Sequence, residues 1–82
     1  MTAPIYKETL LIGAGPQQIS GRVIAAGVDP GGEPCVWFIA DGATSSKVIT
    51  VPTGGEVERT WQHLSTFTMQ GSLVAHVFVV GL

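Results

Sequence analysis

From Leu73 to Val80 apolar side chains follow one another with a single polar break at His76. Successive side chains of a strand point to opposite faces. Leu73, Ala75, Val77 and Val79 then share one face, and Val74, His76, Phe78 and Val80 the other. A half-exposed antiparallel strand alternates apolar with polar. A run apolar on both faces therefore belongs in the middle of a sheet between two layers, or beneath another subunit. Its many valines, with Gly71 and Gly81 as boundaries, favour a strand over a helix. This stretch is predicted to organise the fold, and cutting into it to be destructive. Cys35 to Asp41 has the same character, with Cys35, Trp37 and Ile39 opposing Val36, Phe38 and Ala40.

The remaining pattern is also of period two. Ile5 to Ile12 reads as a first strand after a loose tail, Met1 to Pro4. Gly13-Ala14-Gly15-Pro16 breaks it. Gln17 to Ser20 is a short edge strand, and Arg22 to Val28 the next strand. Asp29 to Pro34 is the clearest turn, because Pro presets φ and Gly supplies positive φ. It joins Arg22–Val28 to Cys35–Asp41 as a hairpin. A polar loop over Gly42 to Ser46 leads into Lys47 to Val51, which Pro52 ends. Thr53 to Glu56 is a flexible connection, and Val57 to Gln62 is ambiguous. His63 to Met69 alternates, with Leu64, Thr66 and Thr68 opposing His63, Ser65, Phe67 and Met69. Gln70-Gly71 closes a second hairpin into the organising strand. Six or seven short strands, turns at roughly ten-residue spacing and no helix predict an all-β fold, a small antiparallel sandwich or partly open barrel. The 82 residues are expected to form one domain with no repeat, no linker and no low-complexity segment.

Composition adds a partner to this picture. Charged residues are 12% of the chain, against about 25% in an average protein. So small a domain exposes much of its surface and has few charges to coat it. Some apolar surface is expected to meet a partner, most simply another copy; a Ser/Thr/Gly/Gln-rich monomer surface is the plain alternative. The net charge is −2 and the cations Lys7, Arg22, Lys47 and Arg59 are scattered, which gives no footprint for DNA or RNA. The single Cys35 excludes an internal disulfide and fits a reducing compartment. The sequence shows no signal-peptide pattern and no apolar run approaching the ~20 residues of a spanning helix. A soluble cytoplasmic protein without a membrane partner is the expectation.

Candidate chemistry is thin. Gly13-Ala14-Gly15 lacks the third Gly and the following helix of a phosphate loop. His63 and His76 fall on the two strands of the last hairpin and would face each other if their registers matched. A zinc site needs three or four ligands, and Cys35 is the one further candidate, without paired spacing, so no metal is expected. His76, in an apolar row, reads first as a hydrogen-bonded core or interface histidine. Cys35 next to a His would make a nucleophile pair, but its place at the start of an apolar strand fits a small buried residue. Glu8, Asp29, Glu33, Asp41, Glu56 and Glu58 lie mostly in turns, and no pair has the context that splits carboxyl pKa values for acid–base work. No catalytic residue and no cofactor are expected.

Binding is the stronger reading. Thr53-Gly54-Gly55 can present successive backbone N–H groups to an anion. Arg59 can pair with a phosphate, Trp61 offers a stacking face, and His63 follows. Thr53, Gly54, Gly55, Arg59, Trp61 and His63 form the candidate ligand site. The competing reading makes Trp61 a core anchor and Arg59 a solvated charge. Val74, His76, Phe78 and Val80 form the candidate oligomer interface, or part of the core.

The landmarks follow an order that resembles a known family. Ile5-Tyr6-Lys7 opens the chain, Pro34-Cys35-Val36-Trp37 runs to Ala40-Asp41, and Thr53-Gly54-Gly55 precedes Leu64-Ser65-Thr66-Phe67. Gly71 to Phe78 closes it with Val74-Ala75-His76-Val77-Phe78. This is similar to a family of small proteins of unknown function encoded mainly by tailed bacteriophages. Its members carry an I-Y-K-Y-like start, a P-x-L-W strand, a T-G-x segment, an I-G-T-like strand and a V-x-H-V-F ending. The departures are Glu8 after Lys7, and Leu64-Ser65-Thr66 in place of I-G-T. The resemblance implies a phage product acting in the host cytoplasm, without supplying a ligand or functional residues. A non-enzymatic, oligomeric binder that sequesters or inhibits a host protein or a small anionic ligand, such as a nucleotide immune signal, is the leading expectation. A minor virion structural or assembly protein is the second, and an enzyme using Cys35 or His76 the last.

Overall fold

The computed structural model describes residues 2–81. Seven strands run in sequence order: β1 Ile5–Thr9, β2 Gln17–Ile19, β3 Arg22–Val28, β4 Pro34–Ile39, β5 Ser46–Pro52, β6 Gln62–Thr68 and β7 Val74–Val80. They make two antiparallel sheets, ordered β1-β4-β3 and β2-β5-β7-β6. The sheets stack as a sandwich, not a closed barrel. The shortest dimension, 17 Å, is that of two sheets packed about 10 Å apart.

Both strongly apolar runs are central strands, β4 in the first sheet and β7 in the second. Each buries one face, β4 through Val36 and Phe38 and β7 through Ala75 and Val77, with Val79 partly buried beside them. Leu10, Val36 and Phe38 from the first sheet and its exit meet Ile19, Val48 and Val77 of the second in one core. The opposite faces are less covered than a two-layer position requires: Trp37, Ile39, Val74, His76 and Phe78 are half-buried, although Cys35 and Val80 are buried. Double-sided apolarity thus marks a central strand here, and the second face stays open within the monomer.

Several element boundaries differ from the pattern reading. β1 stops at Thr9 because Leu10 turns into the core and the chain crosses to the other sheet, where Ile12 makes an isolated parallel bridge to Thr50. Pro52 is the last residue of β5, paired with Ala75; a strand end tolerates its missing N–H. The tail is tied at Pro4, whose carbonyl accepts from the Ala40 N–H at 2.9 Å; Met1 lies outside the described residues.

A structural repeat that the sequence hides organises the whole molecule. In the first hairpin Arg22 pairs with Ile39, Val23 with Phe38, Ala25 with Trp37, and so on to Val28 with Pro34. In the second, Gln62 pairs with Val79, His63 with Phe78, Ser65 with Val77, and so on to Thr68 with Val74. Every residue number in the second ladder is forty above its counterpart, and the register shift falls at the same place, Ile24 and Leu64. The turns match as well: Asp29 N–H donates to Glu33 O at 2.9 Å and Met69 N–H to Leu73 O at 2.6 Å. β1 flanks β4 as β5 flanks β7, with Ile5 opposite Ile39 as Val48 is opposite Val79. Past these strands, Leu10 N–H donates to Pro34 O at 2.9 Å and Thr53 N–H to Val74 O at 3.2 Å. Unit one is β1-β4-β3 and unit two is β5-β7-β6, with β2 added to the β5 edge. Between the two hairpins, Gly31/Gly71 and Phe38/Phe78 are the positions that keep the same residue. The repeat is therefore one of hydrogen-bond register and not of side chains.

The units stack front to back. The face of unit one carrying Val36 and Phe38 packs on the face of unit two carrying Val48 and Val77. By the forty-residue correspondence, Val36 and Phe38 match His76 and Phe78, which point to the other, outer side of unit two. Val77 matches Trp37, on the outer side of unit one.

Candidate functional site

The register shift at Leu64 decides what the outer face of the four-stranded sheet carries. Simple alternation sets His63 with Phe67 and Thr66 with Leu64. The shift inserts one residue, so Leu64 and Phe67 both pack on the core, whereas His63, paired with Phe78, and Thr66, paired with His76, share the outer face. β-bulges re-aim side chains in this way.

The consequence is a continuous hydrogen-bonded chain. His63 Nε2 lies 2.8 Å from Thr66 Oγ1, Thr66 Oγ1 lies 3.0 Å from His76 Nδ1, and His76 Nε2 lies 2.8 Å from Thr53 Oγ1. The two histidines do not face each other directly; their registers are offset, and Thr66 bridges them. A hydroxyl has one proton to give and a neutral imidazole one donor and one acceptor nitrogen. The chain therefore has three consistent proton arrangements: His63 donating toward Thr53, Thr53 donating toward His63, or Thr66 accepting from both histidines while His76 accepts from Thr53. Each link helps hold the next.

Aromatic rings complete the face. The Phe78 ring meets His63 edge-on at 5.3 Å between centroids and the tilted Trp61 at 6.0 Å. Trp61 is half-buried, so it both anchors the loop end and covers Phe78. In unit one the residue in its place is Gly21, and there the second sheet covers Phe38. A side chain at Gly21 would run into the Ile39 carbonyl and the Phe38 ring.

The two predicted residue sets thus converge. Thr53, Trp61 and His63 from the ligand set join His76 and Phe78 from the interface set on one open face. Val74 is half-buried there, and Val80 is buried at the far end. Gly54, Gly55 and Arg59 sit in the exposed rim loop, and Arg59 makes no ion pair among the described residues. The loop does not offer three free successive amides. Thr53 N–H is spent on Val74 O, and Gly55 N–H donates to Pro52 O at 3.0 Å. Gly55 instead folds the loop down on the Val51 side chain, leaving no room for a Cβ.

Alternation alone sets Thr66 beside Leu64, and only the bulge turns it outward. The sequence points to Thr53 for its amide, whereas its hydroxyl makes the contact with His76. The four linked residues Thr53, His63, Thr66 and His76 hold the places of Leu10, Val23, Ala26 and Val36 in unit one. Unit one uses those places for the core; unit two fills them with polar groups that satisfy one another.

Cys35 is fully buried in the other sheet, and burial pushes its thiol pKa up. By register it points toward the outer side of unit one, away from both histidines. On that side Lys7 Nζ donates to Asp29 Oδ2 at 2.8 Å. This bond, with the N–H of Glu33 after it, holds the Asp29 carboxyl below its ordinary range, and the same bond with the Asp29 charge holds the Lys7 ammonium above its own. Asp41 is likewise lowered, by the N–H of Ala43 and the hydroxyl and N–H of Thr44, which makes it a loop staple. Among the described residues no group of three His, Cys, Asp or Glu side chains is placed to hold a metal. A shallow depression of about 240 Å³ lies between Gln18, Ser45, Lys47 and Val80. Gln18 and Ser45 are already hydrogen-bonded to each other across it. No helix among the described residues is long and apolar enough to cross a membrane.

No protein-family model matches the chain, no curated protein matches it in sequence, and no solved structure matches its fold.

Proposed function

We propose that this chain is a non-enzymatic binding protein that works as a homo-oligomer and captures a host component, a protein or a small anionic ligand such as a nucleotide signal, in the host cytoplasm. One observation carries the reading: the outer face of the four-stranded sheet is open, half apolar, and already organised. Its polar groups satisfy one another through Thr53, Thr66 and both histidines, and Phe78 sits in an aromatic frame. A surface whose side chains are fixed before contact loses little entropy on binding. Arg59 on the rim supplies the one guanidinium beside this face. The resemblance to small phage proteins supports the setting. The buried thiol of Cys35 and its separation from the histidines weigh against nucleophilic catalysis.

Native mass spectrometry of protein purified from bacterial lysate tests this reading. Retention of a stoichiometric anionic mass, or of a host protein, that is lost in Arg59→Ala or Trp61→Ala supports it. Absence of any retained species, together with no binding to a nucleotide panel and no partner in pull-downs, overturns it.

A structural role in the virion is the second reading. β1 is an open edge, hydrogen-bonded on one side only, with Ile5 60% and Tyr6 56% exposed. Such an edge can add a strand from a neighbour. Presence of the protein in purified particles would favour this role.

A further inference from the structure

We infer that the partner covering the outer face of unit two is a second copy of this chain, placed head to tail through the outer face of its unit one. This rests on the oligomeric part of the function proposed above and names the geometry.

The argument is the internal repeat. Inside the monomer, the Val36/Phe38 face of one three-stranded unit packs on the Val48/Val77 face of the next. Stacking two like units front to back leaves one of each face unused. The free face of unit two carries His76 and Phe78, the places of Val36 and Phe38. The free face of unit one carries Ile5 and Trp37, the places of Val48 and Val77. The two free faces thus hold the same backbone places as the pair that already forms the core, with Lys7 in the place of Thr50 and His76 in that of Val36, and they lie on opposite sides of the molecule. A twofold dimer would set like against like. Setting unlike faces together repeats the contact the chain makes with itself, which is a heterologous interface.

The edges agree. After β1 the chain straps across to the neighbouring sheet, where Gly13 N–H donates to Thr50 O at 3.0 Å and β2 pairs with β5. The segment after β5, Thr53 to Trp61, holds the place of that strap and carries Val57 at 48% exposure. The edge it would meet on the next copy is β1, which holds the place of β5 and is open. The His and Thr side chains can be buried in this contact because they hydrogen-bond one another.

The test uses one charge on each face. Ala25 is exposed on the outer side of unit one, and His63 on the outer side of unit two. Ala25→Glu and His63→Glu are each measured alone and mixed one to one, by native mass spectrometry and light scattering. The wild type is expected to be an oligomer, each variant a monomer, and the mixture a heterodimer, since each variant keeps the face the other has lost. Circular dichroism confirms that both variants are folded; if either is not, Ile5→Lys and Thr68→Lys replace them. A monomeric wild type overturns the inference. So does loss of assembly in only one of the two variants, as like-to-like pairing requires, or a mixture that stays monomeric. Subunit number is read separately from bound ligand, so failure of this inference is distinguishable from failure of the capture reading; in a head-to-tail stack the outer face of unit two stays open for capture at the terminal copy.

Discussion

Val36 and His76 hold the same place in two units of identical hydrogen-bond register, and Val36 is fully buried while His76 lies half-open between Thr66 and Thr53. The backbone offers the same socket twice. What differs is whether the chain itself supplies the covering layer. Where it does, the socket holds Val; where it does not, it holds a His whose two ring nitrogens are both occupied.

Thr66 is the link on which this outer network depends. Thr66→Val removes the hydroxyl shared by His63 and His76 and keeps the shape. Each such bond contributes about 0.5–1.5 kcal/mol, so a loss of about 1–2 kcal/mol is expected in urea unfolding. The imidazole nitrogen signals of both histidines should move in NMR spectra. Unchanged His76 signals would show that the chain is broken in solution.

Gly21 has no room for a side chain. A Cβ there would stand 2.5 Å from the Ile39 carbonyl oxygen and 2.6 Å from the Phe38 ring. Gly21→Ala is expected to cost about 1–3 kcal/mol, as overpacking does. A thermal midpoint equal to that of the wild type would refute the close approach.

Thr50 carries a core hydroxyl with no hydrogen-bond partner among the described residues, at 2% exposure. Leaving such a group unpaired costs about 1–3 kcal/mol. Thr50→Val, nearly the same shape, is expected to raise the urea midpoint. A lowered midpoint would mean that the hydroxyl is satisfied.

Ser72 occupies a left-handed conformation, φ 68°, in the turn where the first hairpin has Gly32 at φ 87°. That region costs an ordinary residue about 1–2 kcal/mol, and Gly gives part of it back through unfolded-chain freedom. Ser72→Gly is expected to stabilise by about 0.5–1 kcal/mol in chemical denaturation, whereas Gly32→Ser should do the reverse.

Asp29 and Lys7 set a dependence on pH. The Asp29 carboxyl is held below its ordinary value by the Lys7 hydrogen bond first, so the unfolded chain takes up that proton more readily. Its contribution is whole above about pH 4 and is lost as pH falls through the lowered native pKa. Lys7 is held above its ordinary value, so its contribution is whole below about pH 10 and is lost as pH rises through the raised native pKa. Asp29→Asn should flatten the acid limb of urea midpoints plotted against pH. Parallel curves for variant and wild type would remove the pair from the account.

The sequence by itself determined the elements. Period-two alternation, the valines of β7, the Asp29–Pro34 turn and Gln70-Gly71 are local signals, and they placed both hairpins and both central strands. The tertiary structure alone decided the rest. A one-residue bulge at Leu64 leaves no mark in an alternating sequence, yet it turns Thr66 outward and makes the His63–Thr66–His76–Thr53 chain. The repeat was hidden for a related reason. Register is held by backbone hydrogen bonds, which are blind to side chains, so Leu10, Val23, Ala26 and Val36 became Thr53, His63, Thr66 and His76 without disturbing it. Which copy of the unit is covered, and therefore which is free to turn polar, depends on how the two units stack, and that is set by contacts such as those of β3 with β6, about forty positions apart in the chain.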